Sequence, residues 1–546
     1  MLKIAHVNFW RPGNNEWLTY FIQNEIGDAK CVSLNEEHDI LISSCRGNDI
    51  QSIRKSQAKL KIFYYGENLD RFKPFNDEKL VKELFDICLG FRYTDINNKK
   101  IRFPWWIRFY SYYHYDPNNN FLLHIENTYL KNKDSKEEFA SLVCRHDNGG
   151  QRTKIYNELN KYGKILCPSS FKNNTKKLGP SPTGDMGCPQ VKLDFVCKTT
   201  YNICPENSKF EGYCTEKLIQ ALEAGCIPIY WGIDIPESEL INRNKYCFVN
   251  IENNELMKKQ IEDCVKNKEE YFKGPVFTPQ APYIMDNYYK TLKWQMQLKL
   301  NLIPKQKIYG ISYASRSFIK RYQPITNNAN DSQYFDEFKC FRENDIDDEF
   351  KKKMRDVWNM SRGGGYWSWK VYIIYNQLQQ MNDNDILIYF DSGCSICYSD
   401  KAKKRFNEYI NMVNNHWSGF LRFLNGCPEK TYTNQALFDY FFKNYNLDTD
   451  KHSNNNHLIA TVLIMRKTKF VDDFFKTNLD IIYDDPKLIT DLYSKKGDKH
   501  RHDQSVMSVL YKHMGGSLII EDETWYKTNS SSFDNSSPFQ ATRKIE

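Results

Sequence analysis

The residues of this chain best suited to hold an anion lie in the segment PENSKFEGYCTEKLIQALEAGCIPIYWG, 205–232. Thr215 fits a helix N-cap, and Leu218, Ala221 and Leu222 make an apolar stripe at helical spacing. Gly225 stands where a left-handed C-terminal residue belongs. The turn before the helix contains Gly212. Unsatisfied N–H groups and the positive end of the helix dipole at such a start favour a diphosphate. Lys217, in the first turn, adds a full positive charge for a β-phosphate. Glu216 would repel phosphate, so it suits a ribose diol that donates to it. The plainer alternative is that Glu216 favours the helix N-terminus and Lys217 is solvated.

Such a helix needs a sheet behind it. Residues 2–8 (LKIAHVN), 38–43 (HDILIS) and 59–65 (KLKIFYY) read as short buried strands, the last running into Gly66, Glu67 and Asn68. With helical stretches between them, this is βαβ logic and a mostly parallel sheet. A second round starts near residue 139: FASLVCR as strand, TKIYNELNKYG as helix, then KILCPSS, YNICPEN, TEKLIQALEAG and CIPIYWG. Residues 283–304 form a long helical stretch closed by Pro304. A fresh start follows, with KIYGISYAS as one strand and DNDILIYFDSG as another that stops at Asp391. Four segments are expected: 1–138, 139–304, 305–527, and a disordered tail over 528–546. Residues 327–333 (NNANDSQ) also read as polar and without periodicity. There is no internal repeat.

The signature at 205–232 resembles the donor-binding segment of the α1,3/4-fucosyltransferase family, with Pro205 and Cys214 in place of that family's usual Phe and Val. VNFW (7–10), FYYGEN (63–68), FDICLGF (85–91), IRFPWW (101–106) and RHDNGGQRTKIYNEL (145–159) follow in the order of bacterial members, so the resemblance covers roughly residues 1–280. It implies a GT-B pair of Rossmann-like domains, acceptor side over 1–138 and donor side over 139–304, and inverting transfer from GDP-fucose to a glycan hydroxyl. Asn207, Tyr213, Glu216 and Lys217 fall on the family's donor contacts, and Arg152 on its diphosphate contact. Glu67 matches its base. It sits just past a strand's carboxyl end, where open α/β sheets place ligands, and Gly66 before it leaves room for close approach. Arg145 and His146 are secondary pocket candidates. No cofactor is obligatory for this half. Tyr110, Tyr112, Tyr113 and Tyr115, beside Trp105 and Trp106, could stack on an acceptor sugar, although core packing is the commoner use of such residues.

In the second half, GGGYWSWKVYIIYNQL (363–378), NDILIYFDSGC (384–394) and RHDQSVMSVLYKH (501–513) resemble GT-A-like sugar transferases. That resemblance implies an α/β domain in which Asp391 is a donor or metal site. His502 and Asp503 line the same pocket, and Lys370 meets phosphate. A carboxylate at a strand end can hold Mn²⁺ or Mg²⁺ bridging a diphosphate, but the second Asp of a DxD pair is absent here. The alternative is that Asp391 caps a turn and His502 and Asp503 cap a helix. A second nucleotide sugar would be the partner, and the expected whole is a GT-B-like pair followed by a GT-A-like domain.

Composition narrows the field further. The 546 residues carry 76 Lys and Arg against 68 Asp and Glu, a formal net charge of +8 with no long basic block. A mild surplus suits an anionic small molecule or an ordinary solvated surface, and no nucleic-acid motif accompanies it. The 16 Cys lack paired zinc spacing and are expected as reduced, packed thiols; Cys394 and Cys397 form a lone CxxC. No run of 18 apolar residues and no signal-like N-terminus occurs, so the expected location is cytoplasmic.

Overall fold

The computed structural model describes residues 1–9, 17–113, 120–178, 189–525 and 536–542. Two compact units divide the chain, Met1–Ile303 and Pro304–Glu546.

The first unit contains two parallel sheets. Leu2–Val7 (β1), Ala29–Cys31 (β2), Ile40–Ser44 (β3), Leu60–Tyr64 (β4), Ile87–Gly90 (β5) and Lys100–Arg102 (β6) build a six-stranded sheet in the order β2-β1-β3-β4-β5-β6. Glu138–Ser141 (β7), Ile165–Leu166 (β8), Thr199–Ile203 (β9), Ile227–Tyr230 (β10) and Cys247–Phe248 (β11) build a five-stranded one in the order β11-β10-β9-β7-β8. Every pairing in both sheets is parallel. Strands covered on both faces must be apolar throughout rather than alternating, and ILISS, ICLG and IPIY are buried at every position.

Within this unit the two sheets are joined by buried polar contacts. Arg102, at the end of β6, donates to Glu237 at 2.5 Å, to the Gly212 carbonyl at 3.2 Å and to the Phe91 carbonyl, while Trp106 donates to Glu237 at 2.9 Å. These bonds fix the loops that follow β5, β9 and β10 against one another.

The second unit is α/β around one mixed sheet. Its strands are Ile308–Tyr313 (β12), Glu337–Phe341 (β13), Ile386–Phe390 (β14), Phe420–Pro428, Asn456–Leu458, Val462–Arg466 and Leu518–Glu521. β12 pairs parallel with β13 and β14, and β14 pairs antiparallel with Val462–Arg466. β14 is buried at all its positions and ends directly before Asp391.

Two expectations of irregular structure are corrected. Residues 327–332 belong to the helix Tyr322–Ser332, because Ile325, Ala329 and Ser332 recur at helical spacing and are all buried. Within the expected tail, Phe539–Gln540 pairs antiparallel with Ser395–Ile396, and Phe539 is fully buried against Phe390 and Phe406. A single apolar side chain with a matching pocket outweighs the polar composition around it. Residues 528–535 and 543–546 lie outside the described residues.

Among the described residues every cysteine is free, and no helix is long and apolar enough to cross a membrane.

Candidate active site

In the first unit, Glu67 follows β4 by three residues, and its carboxylate is about one quarter exposed, at 23%. Both oxygens are engaged. Arg46 donates to Oε1 at 2.8 Å, and the Tyr213 hydroxyl donates to Oε2 at 3.2 Å. Tyr213 comes from the loop after β9, so loops at the carboxyl ends of two different sheets meet at this carboxylate, where open parallel sheets gather ligands. Burial first, then the neighbouring carboxylates Glu206 and Glu67, push the Tyr213 phenol far up, so it stays protonated and donates. Close approach at Gly66 is used by Trp105: a Cβ there would lie 2.2 Å from the indole ring.

The donor-side residues converge on the same loops. Arg152, buried in the first turn of the helix Gln151–Leu159, donates to Asn207 Oδ1 at 2.9 Å and to the His146 carbonyl at 3.1 Å. Asp147 caps that helix by accepting from the N–H groups of Arg152 and Thr153. Arg145 and His146 are exposed, so the contribution of His146 is its backbone carbonyl.

The helix Glu216–Glu223 starts where its sequence says, with Gly225 left-handed behind it at φ 70. Thr215 is the N-cap residue, but its side chain makes no capping bond. Its hydroxyl donates instead to Glu206 at 2.8 Å, a correction to its expected role. Lys217 pairs with Glu206 at 3.2 Å and lies 3.8 Å from Glu216. Burial opposes the Lys217 charge, yet these two carboxylates hold its pKa above the ordinary lysine value. Burial likewise opposes Glu216 as an anion, while Lys217 and Lys192 hold it below the usual carboxylate value.

Of the aromatic stretch, Trp106 and Tyr110 are buried, with Tyr110 donating to Glu223 at 2.6 Å. They pack the core rather than present faces to a sugar. The side chains of Tyr112 and Tyr113, and all of Tyr115, lie outside the described residues.

In the second unit, Lys370 on the helix Ser368–Gln379 lies between two carboxylates, Asp503 at 2.9 Å and Asp391 at 3.3 Å. Tyr389 donates to Asp391 at 2.6 Å, and Asp391 remains about one third exposed, at 35%. The ammonium expected to meet phosphate is thus enclosed by its own carboxylates. Burial raises the Asp503 carboxyl, and Lys370 opposes that rise. His502 joins a neighbouring cluster. Its ring stacks on Trp367, its Nδ1 meets the Ile489 carbonyl at 3.1 Å, and its Nε2 lies 3.9 Å from Asp491. Among the described residues no three His, Cys, Asp or Glu side chains gather to hold a metal ion. Asp391, expected as a metal ligand, is instead neutralised by Lys370, and its donor set does not fit a bound cation.

Residues 131–274 match the family described as Glycosyltransferase family 10 (fucosyltransferase) C-term. The matched segment of the first unit is thus similar to the C-terminal part of that family. The alpha-(1,3)-fucosyltransferase FucT of Helicobacter pylori is 27% identical over 263 residues, 42% of this chain and 50% of that protein. The chain therefore spans about half the length of this curated relative. A solved alpha1,3-fucosyltransferase is 22% identical, covering 55% of this chain and 90% of its own at a TM-score of 0.40. A solved galactosyltransferase in complex with donor and acceptor sugar analogs is 12% identical, covering 42% of this chain and 86% of its own at a TM-score of 0.24.

Sequence reasoning missed three contacts of the candidate site: Arg46 on Glu67, Asp147 under Arg152, and Glu206 beneath Lys217. Glu206 carried a signal, an ionisable residue three residues past the end of a mostly buried strand. Its partners lie nine and eleven residues on, and spacing alone does not reveal that contact.

Proposed function

We propose that the first unit transfers fucose from GDP-fucose to a glycan hydroxyl with inversion, on a GT-B-like pair of domains. One observation carries the reading: the Tyr213–Glu67 hydrogen bond at 3.2 Å, which joins the candidate base to the loop leading into the candidate donor-binding helix. The family 10 match over 131–274 supports the donor class. In this reaction Glu67 takes the proton of the acceptor hydroxyl. The acceptor oxygen bonds to the anomeric carbon as the bond from that carbon to the β-phosphate oxygen breaks, and GDP leaves with the electron pair. Arg152 and Lys217 offset the charge gathering on the departing diphosphate. Asn207 orients Arg152, and Glu216 accepts from the ribose diol.

The test is Glu67→Gln in the full chain. General-base catalysis is worth roughly 10²–10⁴-fold, so transfer should fall by at least about 10²-fold while GDP still binds. Unchanged turnover would refute Glu67 as the base. Turnover with another nucleotide sugar but none with GDP-fucose would move the reading to that donor. Binding of glycan without any turnover would favour a carbohydrate-binding scaffold.

For the second unit the reading is a GT-A-like transferase of a second nucleotide sugar, supported by the Lys370, Asp391 and Asp503 cluster at the end of a buried strand. Loss of donor hydrolysis in Asp391→Ala, with fucosyl transfer retained, is the expected result. An unchanged rate removes Asp391 from the mechanism.

A further inference from the structure

Glu206 is fully buried in the first unit, at 0% exposure, and is the one member of the PENS turn with an ionisable side chain. Among the described residues, all its side-chain partners come from the start of a single helix. Thr215 donates its backbone N–H at 2.7 Å and its hydroxyl at 2.8 Å, and Lys217 donates at 3.2 Å. Lys217 also donates to the Thr215 hydroxyl at 2.7 Å, closing a relay from ammonium to hydroxyl to carboxylate.

We infer that Glu206 is a positioning residue for the donor diphosphate: it fixes the Lys217 ammonium at the helix start with one N–H left over for phosphate. The inference rests on the donor-site reading above. An ammonium has three N–H donors. Two are committed, one to Glu206 and one to Thr215, so the group keeps its place without being used up, and it stays about one fifth exposed, at 20%. The arrangement forgoes a local gain. Thr215 occupies the N-cap position but gives its hydroxyl to Glu206 instead of capping the helix. A buried carboxylate is costly unless paired, and the pairing here converges on the residue expected to meet phosphate. Glu206 is held on its other side by its backbone. Its N–H donates to the Trp231 carbonyl at 2.8 Å, and its own carbonyl accepts from Gln151 at 3.2 Å. The carboxylate cannot follow Lys217 outward, so the lysine is anchored from beneath.

The test is a double-mutant cycle in the full chain, with GDP binding read by calorimetry and donor KM and kcat read with GDP-fucose. Glu206→Gln keeps an acceptor for the Thr215 N–H but removes the charge that holds Lys217. It should weaken GDP about tenfold, roughly 1.4 kcal/mol, and raise donor KM more than it lowers kcat. In the Lys217→Met background, Glu206→Gln should cost nothing further, a non-additivity that a purely structural carboxylate would not produce. GDP binding as tight as wild type, or additive losses, would overturn the inference. Thr215→Val breaks the relay while leaving Glu206 intact, and serves if Glu206→Gln does not fold: weakened GDP binding supports the inference, and unchanged binding overturns it. A wild-type chain that binds no GDP overturns the donor-site reading and this inference together. Tight wild-type binding with an unaffected Glu206→Gln overturns the inference alone.

Discussion

The two units treat the same ingredients, a lysine and two carboxylates, in opposite ways. In the first, Glu206 lies wholly buried beneath Lys217, which remains partly exposed beside Glu216, so the charge is supported from below and open at its tip. In the second, Lys370 is the buried member, at 4% side-chain exposure, and Asp391 is the exposed one. The first arrangement offers a cation at the surface, suited to phosphate. The second offers a carboxylate steadied by a hidden cation. Burial order, more than residue type, sets which charge a site presents.

The largest expected effect separates these two designs directly. Removing one partner of a buried charge cluster costs roughly 3–5 kcal/mol, so Lys370→Met should lower the stability of the second unit by about that much. Asp503, buried and with its pKa already raised by burial, is then left without its cation. The measurement is denaturant unfolding of the full chain followed by hydrogen exchange in each unit. Exchange should rise in Pro304–Glu546 while Met1–Ile303 keeps its protection. Equal loss in both units would mean that the contrast between the clusters is not local.

A smaller effect is expected at the candidate base. A hydrogen bond to a charged group is worth about 1.5–3 kcal/mol, so Tyr213→Phe should lower kcat/KM by at least about tenfold through loss of the bond to Glu67. Because Arg46 still holds the other oxygen at 2.8 Å, the base itself survives and activity is not abolished. If Tyr213→Phe were as damaging as Glu67→Gln, Tyr213 would have to act on the substrate itself.

How much of this was legible in the sequence follows from how local each feature is. The strands before Glu67 and Asp391 were readable because parallel and central strands are apolar without interruption. The Thr215 helix was readable from its own periodicity and its closing Gly225. The contacts that make the sites were not. Arg46 reaches Glu67 across two strands, and Asp491 meets His502 across a loop. Such pairings depend on strand order, which no local pattern encodes. Phe539 shows the same limit in reverse, since a short polar tail gives no sign that one of its two phenylalanines fills a core.

The smallest effect tests whether the His502 cluster is a stability element of the second unit, independent of the lysine. Burial foremost, with the His500 ring nearby, depresses the His502 pKa from 6.5 to about 4. In the unfolded chain this imidazole takes up a proton below about pH 6.5, while in the folded unit it stays neutral down to about pH 4. Across that window the unfolded state binds more protons, so stability falls as pH falls. One such group contributes a slope of about 1.4 kcal/mol per pH unit. His416, depressed to about 4 in the same unit, adds a slope of the same sign. His502→Gln should therefore flatten the acid dependence of the second unit only in part, and leave that of the first unit, where His6 is similarly depressed by burial, unchanged. Unfolding free energies of the full chain between pH 6.5 and 4, resolved by unit through hydrogen exchange, read the slope directly. An unaltered slope in His502→Gln would mean that the ring is protonated in the folded unit and paired with Asp491, 3.9 Å away, which would turn the cluster from a neutral stack into an ion pair.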